Sequence, residues 1–294
     1  MFAQVNGIRL FFDIEGSSHV VQGPSMRRKP VCFLLHGGPG SDHSDFKPWL
    51  SPLAEDMQLV YIDHRGNGRS ERCHPSTYTI AQMADDVEAL RQYLGLDDIM
   101  LLGHSFGGMV AMEYALRYPR HATHLILANT TANADCLRRV AESAASVANP
   151  TQRNLLPLLF AGHLNSETEY EYWWEQCLPL YFHRTSRQTM QEMCARCQGS
   201  FEVCQYMFRH EIPHFNLTPH LHHIQASTLI VAAQHDWVTP TCCAIDMVNR
   251  IPGAKLAVFD DTGHMPFVEA PEEFNRLIKG FIEAGLTCRY RIAG

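Results

Sequence analysis

The stretch Ile99–Pro119, IMLLGHSFGGMVAMEYALRYP, decides the fold of this chain. An apolar strand runs into Gly103–Gly107, a Gly-x-Ser-x-Gly pentapeptide, and a helical pattern follows directly. In this context the strand must turn sharply into the helix, the glycines let the turn close, and Ser105 projects its hydroxyl from the tip. The pattern therefore predicts that Ser105 is a nucleophile. Side chains next to each other on a tight turn diverge, so His104 is predicted to pack rather than to transfer protons.

Strand-like and helical patterns alternate on both sides of this turn. The clearest helix has apolar residues three and four positions apart, at Ile80, Met83, Val87, Leu90 and Leu94. The strand-like runs are Val31–Leu35, Leu59–Ile62, Ile99–Leu102, Leu125–Ala128, Leu229–Ala233 and Lys255–Phe259. Such alternation predicts a mostly parallel sheet with helices on both faces, an α/β fold.

Two parts of the chain depart from this alternation. The N-terminal stretch VNGIRLFFDIEG has an Asn-Gly turn signal and predicts an antiparallel hairpin. Residues 133–224 are helical and aromatic, and strand-helix alternation resumes only after them. We therefore expect a core made of residues 1–132 and 225–294, with residues 133–224 inserted as a helical cap over the substrate pocket.

Composition excludes several classes of protein. The 24 Lys and Arg against 31 Asp and Glu give a net charge of −7, and the chain has no basic block for binding nucleic acid. The N-terminus lacks the features of a signal peptide and no apolar run is long enough to span a membrane, so we expect a cytoplasmic protein without a membrane partner. The ten cysteines are then expected to be reduced thiols. The histidines between His210 and His223 have no recognised ligand spacing, so no metal is expected.

A serine nucleophile needs a base, and the base needs an orienting carboxylate. Asp236 follows a buried strand and His264 lies in a loop after the next one, which gives the chain order serine, acid, histidine. Asp260 and Asp261 are alternative acids, but they precede His264 too closely to reach the far side of its ring. His235 is an alternative base, although it lies next to the acid that would have to orient it.

A glycine-rich turn, HGGPG at residues 36–40, follows the strand Val31–Leu35. A phosphate loop is one interpretation, but Ser41-Asp42 follows where a Lys-Ser or Lys-Thr pair is required. The other is half of an oxyanion hole, with one backbone N–H from this turn and one from Phe106, the residue after the nucleophile.

Five motifs occur in order along the chain: HGGPG, DHRGNGRS, GHSFGG, QHDWVTP and TGHMPFVEAPEEF. Together they resemble the α/β-hydrolase fold family, in particular its proline iminopeptidase-like branch, and the resemblance covers nearly the whole chain. It implies a triad of Ser105, Asp236 and His264, and it favours Gly38 over Gly37 as the partner of Phe106 in the oxyanion hole. It does not identify the substrate, because this branch includes aminopeptidases, amidases, esterases and lactonases.

The expected substrate pocket is apolar, although aromatic residues at helical spacing are often simply core. The residues expected to line it are Trp173, Trp174, Tyr181, Phe182, Trp237 and Gln205. Aminopeptidases resembling this chain carry two carboxylates for the substrate amine, and here Trp237 and Gln205 stand at those positions. Neither side chain can pair with an ammonium group. Glu202 or Glu211 is a substitute if the alignment is shifted.

These patterns predict a cofactor-independent serine hydrolase, monomeric or homodimeric, that cleaves a small ester, lactone or amide through an acyl-enzyme. The alternative enzyme is a proline iminopeptidase or related aminopeptidase. An alternative of another class is a hydrolase-fold receptor or binding protein with very slow turnover.

Overall fold

A computed structural model describes residues 1–138 and 140–283 and contains a central sheet of eight strands. Ten strands occur in the described chain, of which β3 and β4 form a separate hairpin. Their bounds are β1 Phe2–Val5, β2 Ile8–Glu15, β3 His19–Gln22, β4 Ser25–Arg28, β5 Val31–Leu35, β6 Gln58–Ile62, β7 Ile99–His104, β8 Ala122–Ala128, β9 Ser227–Ala233 and β10 Lys255–Phe259. The order across the main sheet is β1-β2-β6-β5-β7-β8-β9-β10.

The two N-terminal strands of this sheet are antiparallel and the others are parallel. The β1–β2 turn is made by Asn6 and Gly7, which both have positive φ, 45° and 77°. Two successive residues with positive φ form the turn whose twist matches that of a hairpin, and Asn-Gly is its preferred sequence. The predicted N-terminal hairpin and the mostly parallel sheet are both present.

Helices flank the sheet, and the first of them shows why the sequence pattern was informative. Helix α1 (Ile80–Tyr93) is capped by the Thr79 side chain, which accepts a hydrogen bond from the Gln82 amide. Its apolar residues Ile80, Met83, Val87 and Leu90 are buried, as their spacing requires. The other helices of the core are α2 Phe106–Arg117, α9 Thr241–Val248, α10 Pro266–Glu269 and α11 Pro271–Ile282.

Residues 133–224 lie between β8 and β9, and we call them the cap segment. The two ends of the segment lie side by side where it joins the core, because the Ala134 amide donates to the Phe215 carbonyl and the Leu217 amide donates to the Ala132 carbonyl. Its helices are α3 Asp135–Arg138, α4 Val140–Ser143, α5 Pro150–Phe160, α6 Glu167–Cys177, α7 Arg187–Arg196 and α8 Phe201–Tyr206. Across residues 1–138 and 140–283, no helix has the length and apolar character needed to cross a membrane.

A buried ion pair links the loop after β6 to α1. Arg65 donates from Nε and Nη2 to the two carboxylate oxygens of Asp86, each at 2.6 Å. The Asn6 side chain also donates to Asp86, at 2.9 Å, so the pair reaches the hairpin turn as well. Arg65 therefore connects three elements of the core.

Candidate active site

Ser105 lies at the junction of β7 and α2 in a strained backbone conformation, with φ 52° and ψ −120°. Its amide donates to the Ala128 carbonyl at 3.0 Å, and its own carbonyl accepts a hydrogen bond from the Thr130 hydroxyl at 2.6 Å. The turn also needs a glycine at position 107, where a Cβ atom would lie 1.9 Å from the Leu35 carbonyl oxygen. Packing against β5 and β8 thus holds the serine in a conformation that non-glycine residues rarely adopt.

Asp236 and His264 form a buried pair beside this turn. His264 Nδ1 lies 2.8 Å from Asp236 Oδ2, and since a carboxylate only accepts, Nδ1 carries the proton. Burial by itself raises the pKa of Asp236, but the charge of His264 and hydrogen bonds from His264, Asn129 and Thr239 outweigh it and lower that pKa. Asp236 is therefore ionised and fixes the ring so that Nε2 of His264 is free to accept a proton.

Four other residues considered in the sequence are not members of this pair. His104 is buried and bonds through Nε2 to the His264 carbonyl at 2.9 Å. Burial and the charge of His264 lower the pKa of His104 to about 3, so it stays neutral and supports the His264 backbone. His235 and Asp260 are exposed, and Asp261 pairs with Arg184 at 3.1 Å. None of the four is the partner of the His264 ring nitrogen Nδ1, which is Asp236.

The glycine-rich turn after β5 is held by two side chains that the sequence analysis did not single out. His36 donates from Nδ1 to the Gly37 carbonyl at 2.8 Å, and its Nε2 accepts from the His64 amide at 3.1 Å. Asn67 accepts from the Gly40 amide at 2.9 Å. Both residues belong to motifs quoted above, HGGPG and DHRGNGRS, but only the tertiary structure reveals their contacts.

The amides of Gly38 and Phe106 are the candidate oxyanion donors. Gly38 has φ 111°, which favours glycine, and Phe106 is the first residue of α2, where an N–H has no partner within the helix. Neither amide donates a hydrogen bond to another residue of the described chain. Both residues line the same cavity as Ser105 and His264.

This cavity has a volume of about 850 Å³ and lies between the sheet and the cap segment. The core contributes Ser105, His264 and the glycine turn. Cap helices α5, α6 and α7 contribute apolar side chains, among them Phe160, Trp174 and Met193, and polar ones, among them Glu167, Glu171 and Glu175 of α6. The cavity is thus large enough for a small-molecule substrate and is largely apolar, as ligand pockets usually are.

The expected pocket residues are only partly in this wall. Trp174 and Tyr181 line the cavity, whereas Trp173, Phe182, Trp237 and Gln205 are not among the described residues that do, which corrects the expectation for these four. The polar side-chain atoms of three of them are used in the scaffold: Trp173 Nε1 donates to Leu155, Trp237 Nε1 to Leu180 and Gln205 Nε2 to Leu164. Indole N–H groups that become buried need such acceptors, which anchor the rings behind the wall.

Carboxylates are also distributed differently from the sequence-based alternatives. Glu211 accepts from the Ile80 amide at the start of α1, and neither Glu211 nor Glu202 is among the described cavity-lining residues. Four carboxylates of the described chain do line the cavity: the exposed Glu167, Glu171 and Glu175 of α6, and Asp45 in the short turn His43–Phe46, which is buried and accepts a hydrogen bond from Ser41. Burial raises the pKa of Asp45 to about 7, and the nearby Asp42 adds to the shift. No sequence signal identified Asp45, because its position depends on how the loop after the glycine turn folds.

Potential metal ligands converge in two groups within residues 1–138 and 140–283: Asp42, His43 and Asp63, and His183, His235 and Asp261. The first group is buried and its atoms already bond within the protein, since His43 Nδ1 lies 2.7 Å from Asp63 and Asp42 accepts from the Gln198 amide. The second group is exposed. The histidines between His210 and His223, which stand out in the sequence, are in neither group.

Comparisons with known proteins support the α/β-hydrolase fold. The profile of the alpha/beta hydrolase fold family matches residues 30–271. "Proline iminopeptidase PfmaB" of Pestalotiopsis fici is 28% identical over 290 residues, covering 96% of this chain and 99% of that protein. Among solved structures, the esterase EaEST of Exiguobacterium antarcticum has a TM-score of 0.72 at 22% identity, covering 97% and 99% of the two chains. The enol-lactonase of Burkholderia xenovorans has a TM-score of 0.69 at 21% identity, covering 96% and 100%.

Proposed function

The chain belongs to the α/β-hydrolase fold family and is a hydrolase of that fold, and from this premise we propose that it is a cofactor-independent serine hydrolase. Its substrates are small esters, lactones or amides, cleaved through an acyl-enzyme. One observation carries the proposal: the buried Asp236–His264 pair, 2.8 Å between Oδ2 and Nδ1, borders the same cavity as Ser105 on its positive-φ turn.

The proposed reaction has two halves. Ser105 Oγ attacks the substrate carbonyl carbon while His264 Nε2 takes the hydroxyl proton, and the imidazolium formed is stabilised by Asp236. The amides of Gly38 and Phe106 donate to the developing oxyanion, and His264 returns the proton to the leaving group. Water then attacks the acyl-enzyme with His264 again as base, which releases the acid and restores Ser105.

The nucleophile is tested with Ser105→Ala, which removes one oxygen atom. The variant should lose about 10⁴-fold or more in kcat on a short-chain aryl ester while its circular dichroism and melting temperature stay unchanged. A fluorophosphonate should label the wild-type protein and the control variant Ser17→Ala, but not Ser105→Ala. A folded Ser105→Ala protein with a tenth of the wild-type activity would show that the nucleophile is another residue.

Hydrolysis of the aryl ester also tests whether the protein is an enzyme with multiple turnovers or a receptor with very slow turnover. A hydrolase-fold receptor would react once with the ester, release the acid very slowly and show a burst without a steady rate. Sustained turnover by the wild-type protein is expected here, because both oxyanion amides are free and the histidine is already oriented by Asp236.

The second candidate is an aminopeptidase, and Asp45 is the observation that favours it. A buried carboxyl in the cavity wall can hold a substrate ammonium group, which the apolar part of the pocket would leave without its hydration, whereas Glu167, Glu171 and Glu175 also line the cavity but are exposed to solvent. The most similar proteins described above include one named proline iminopeptidase. Against it, cation–π contact in the aromatic wall recovers only about 0.5 to 2 kcal/mol of the lost hydration if Asp45 is protonated.

One comparison separates the two substrates with the scissile bond held constant. The kcat/KM of one amino-acid ester is measured with its amine free and with it acetylated, in the wild type and in Asp45→Asn. We expect the acetylated ester to be equal or better in both proteins. A preference of about tenfold or more for the free amine, lost in Asp45→Asn, would replace our proposal with the aminopeptidase and assign Asp45 as its amine ligand.

A further inference from the structure

The exposed group His183, His235 and Asp261 carries an inference that is independent of the reaction. We propose that these three side chains bind a divalent transition-metal ion, with Zn²⁺ as the best match. The site lies outside the cavity and was not expected from the sequence, which predicted no metal.

The three residues come from segments far apart in the chain. His183 lies in the cap segment, just after residues that contact the triad; His235 precedes Asp236; and Asp261 lies in the loop that leads to His264. One ligand atom from each lies within 4.8 Å of the others. Ligand atoms around one tetrahedral zinc ion lie about 3.3 Å apart, because each bond is about 2 Å long, so the three atoms must approach one another by up to about 1.5 Å to share one ion.

The type of ligand selects the ion. Two imidazole nitrogens and one carboxylate oxygen suit Zn²⁺ and its neighbours Cu²⁺ and Ni²⁺, whereas Mg²⁺ and Ca²⁺ require a shell made mostly of oxygen atoms. Three protein ligands leave a fourth position for water. Because all three side chains are exposed, an ion can enter from solvent without any opening of the fold.

Two contacts compete with the ion. The rings of His183 and His235 stack face to face, with centroids 3.6 Å apart and planes 1° from parallel, so one ring must tilt before both nitrogens point to the same ion. Arg184 pairs with Asp261 at 3.1 Å and must release it. The Arg184 and Asp261 side chains are both about two-thirds exposed, and an ion pair exposed to this extent contributes at most about 1 kcal/mol to the free energy of folding.

Binding would cross-link the cap segment to the two loops that hold Asp236 and His264. Residues 180–184, which we call the strap, already contact both loops. Trp237 Nε1 donates to the Leu180 carbonyl, and the His264 amide donates to the Tyr181 carbonyl at 2.7 Å. A metal ion adds a stronger link at the exposed end of this strap. We therefore expect metal binding to stabilise the cap against the core.

The experiment measures Zn²⁺ binding to the full chain by equilibrium dialysis and by the melting temperature in ZnCl₂ and in EDTA. The wild type should bind one Zn²⁺, and the double variant His183→Ala/His235→Ala should bind Zn²⁺ at least about tenfold more weakly. Removing a residue that only supports a metal ligand already lowers metal affinity about 10- to 100-fold, and removing the ligand itself should lower the affinity more. The double variant His222→Ala/His223→Ala is the matched control, because it removes another exposed histidine pair, with ring centroids 3.9 Å apart. It should bind as the wild type does.

Arg184→Gln supplies a variant in which affinity should increase. It frees Asp261 and removes a positive charge from the site, so its Zn²⁺ affinity should exceed that of the wild type by about twofold to fivefold, which corresponds to the free energy of an exposed ion pair. The proposal is overturned if the His183/His235 variant keeps the wild-type affinity or if the His222/His223 variant loses it. An Arg184→Gln protein that binds Zn²⁺ more weakly than the wild type would also overturn it, since Asp261 would then not be a ligand.

Discussion

Asp236 accepts hydrogen bonds on both of its carboxylate oxygens, and their distribution explains how one residue can orient the base. Oδ2 accepts from His264, Asn129 and Thr239, and Oδ1 accepts from the amides of Val238 and Thr239. Every donor except His264 fixes the carboxylate relative to the ends of β8 and β9. The Asp236 carboxylate is therefore held in one orientation, with Oδ2 facing His264 Nδ1.

Asp236→Asn should lower kcat by about 10⁴-fold with little change in KM. The neutral amide cannot stabilise the imidazolium. Its NH₂ group must either face one of the N–H or O–H donors that now bond to Asp236 or donate to His264 Nδ1, which favours the ring tautomer protonated at Nε2. The measurement is steady-state hydrolysis of an aryl ester, with Asp260→Asn as the control because Asp260 is an exposed acid of the same region. If the two variants prove equally damaging, Asp236 is not the orienting carboxylate.

At the scale of elements, α10 connects the triad to the cap segment through Glu269. Its carboxylate accepts from the Gly263 amide at 2.6 Å, next to His264. It also accepts from the His183 and Arg184 amides, at 2.8 and 2.5 Å. One short helix thus presents a charge to three backbone donors on two different segments. The position of His264 depends on this link as well as on the strand before it.

Glu269→Gln should lower the free energy of unfolding by about 1–3 kcal/mol, the cost of leaving donors without an acceptor. It should also reduce kcat more than it changes KM, because the loop carrying His264 loses one of its supports. Chemical denaturation and ester hydrolysis are the measurements. Glu272→Gln, an exposed acid in the first turn of α11, is the control and should change neither quantity. Equal stability of the two variants would contradict this role for Glu269.

At the scale of the whole molecule, the cavity exists only because the cap segment is packed on the carboxyl edge of the sheet. Its floor includes the turns after β5, β7, β9 and β10, and α5, α6 and α7 supply a wall that is largely apolar but contains Glu167, Glu171 and Glu175. The wall therefore selects substrates mainly by size and polarity. In the proposed reaction, the reacting groups on the floor are the same for any acyl chain that fits.

For aryl esters of increasing acyl length, kcat/KM should rise by about fourfold per methylene, since each buried CH₂ contributes about 0.8 kcal/mol. The rise should stop when the cavity is full. The measurement is a series from acetate to octanoate. In Trp174→Ala, which removes a large ring from the wall, the limit should move to longer chains. A decline that already begins at butyrate in the wild type would show that the acyl chain does not enter this cavity.

Local sequence was sufficient for the fold of this protein. The parallel strands, α1 and the N-terminal hairpin follow from apolar periodicity, a capping threonine and an Asn-Gly turn, which are all short-range signals. The family and the chain order of Ser105, Asp236 and His264 follow from motifs at strand ends, because the carboxyl ends of parallel strands meet at one edge of a sheet.

What the sequence could not determine are contacts between residues far apart in the chain. Trp173 and Trp237 are aromatic residues of the kind that often line ligand pockets, but their indole N–H groups bond to backbone carbonyls behind the cavity wall. Asp45 reaches the cavity through the path of an irregular loop, and no periodic pattern reports that path. The histidines between His210 and His223 are close together in the sequence but do not converge with other ligands in the described chain, whereas His183 and His235, which are 52 residues apart, stack on each other. Side-chain convergence of this kind depends on how the cap segment packs against the core, and only the tertiary structure decides that.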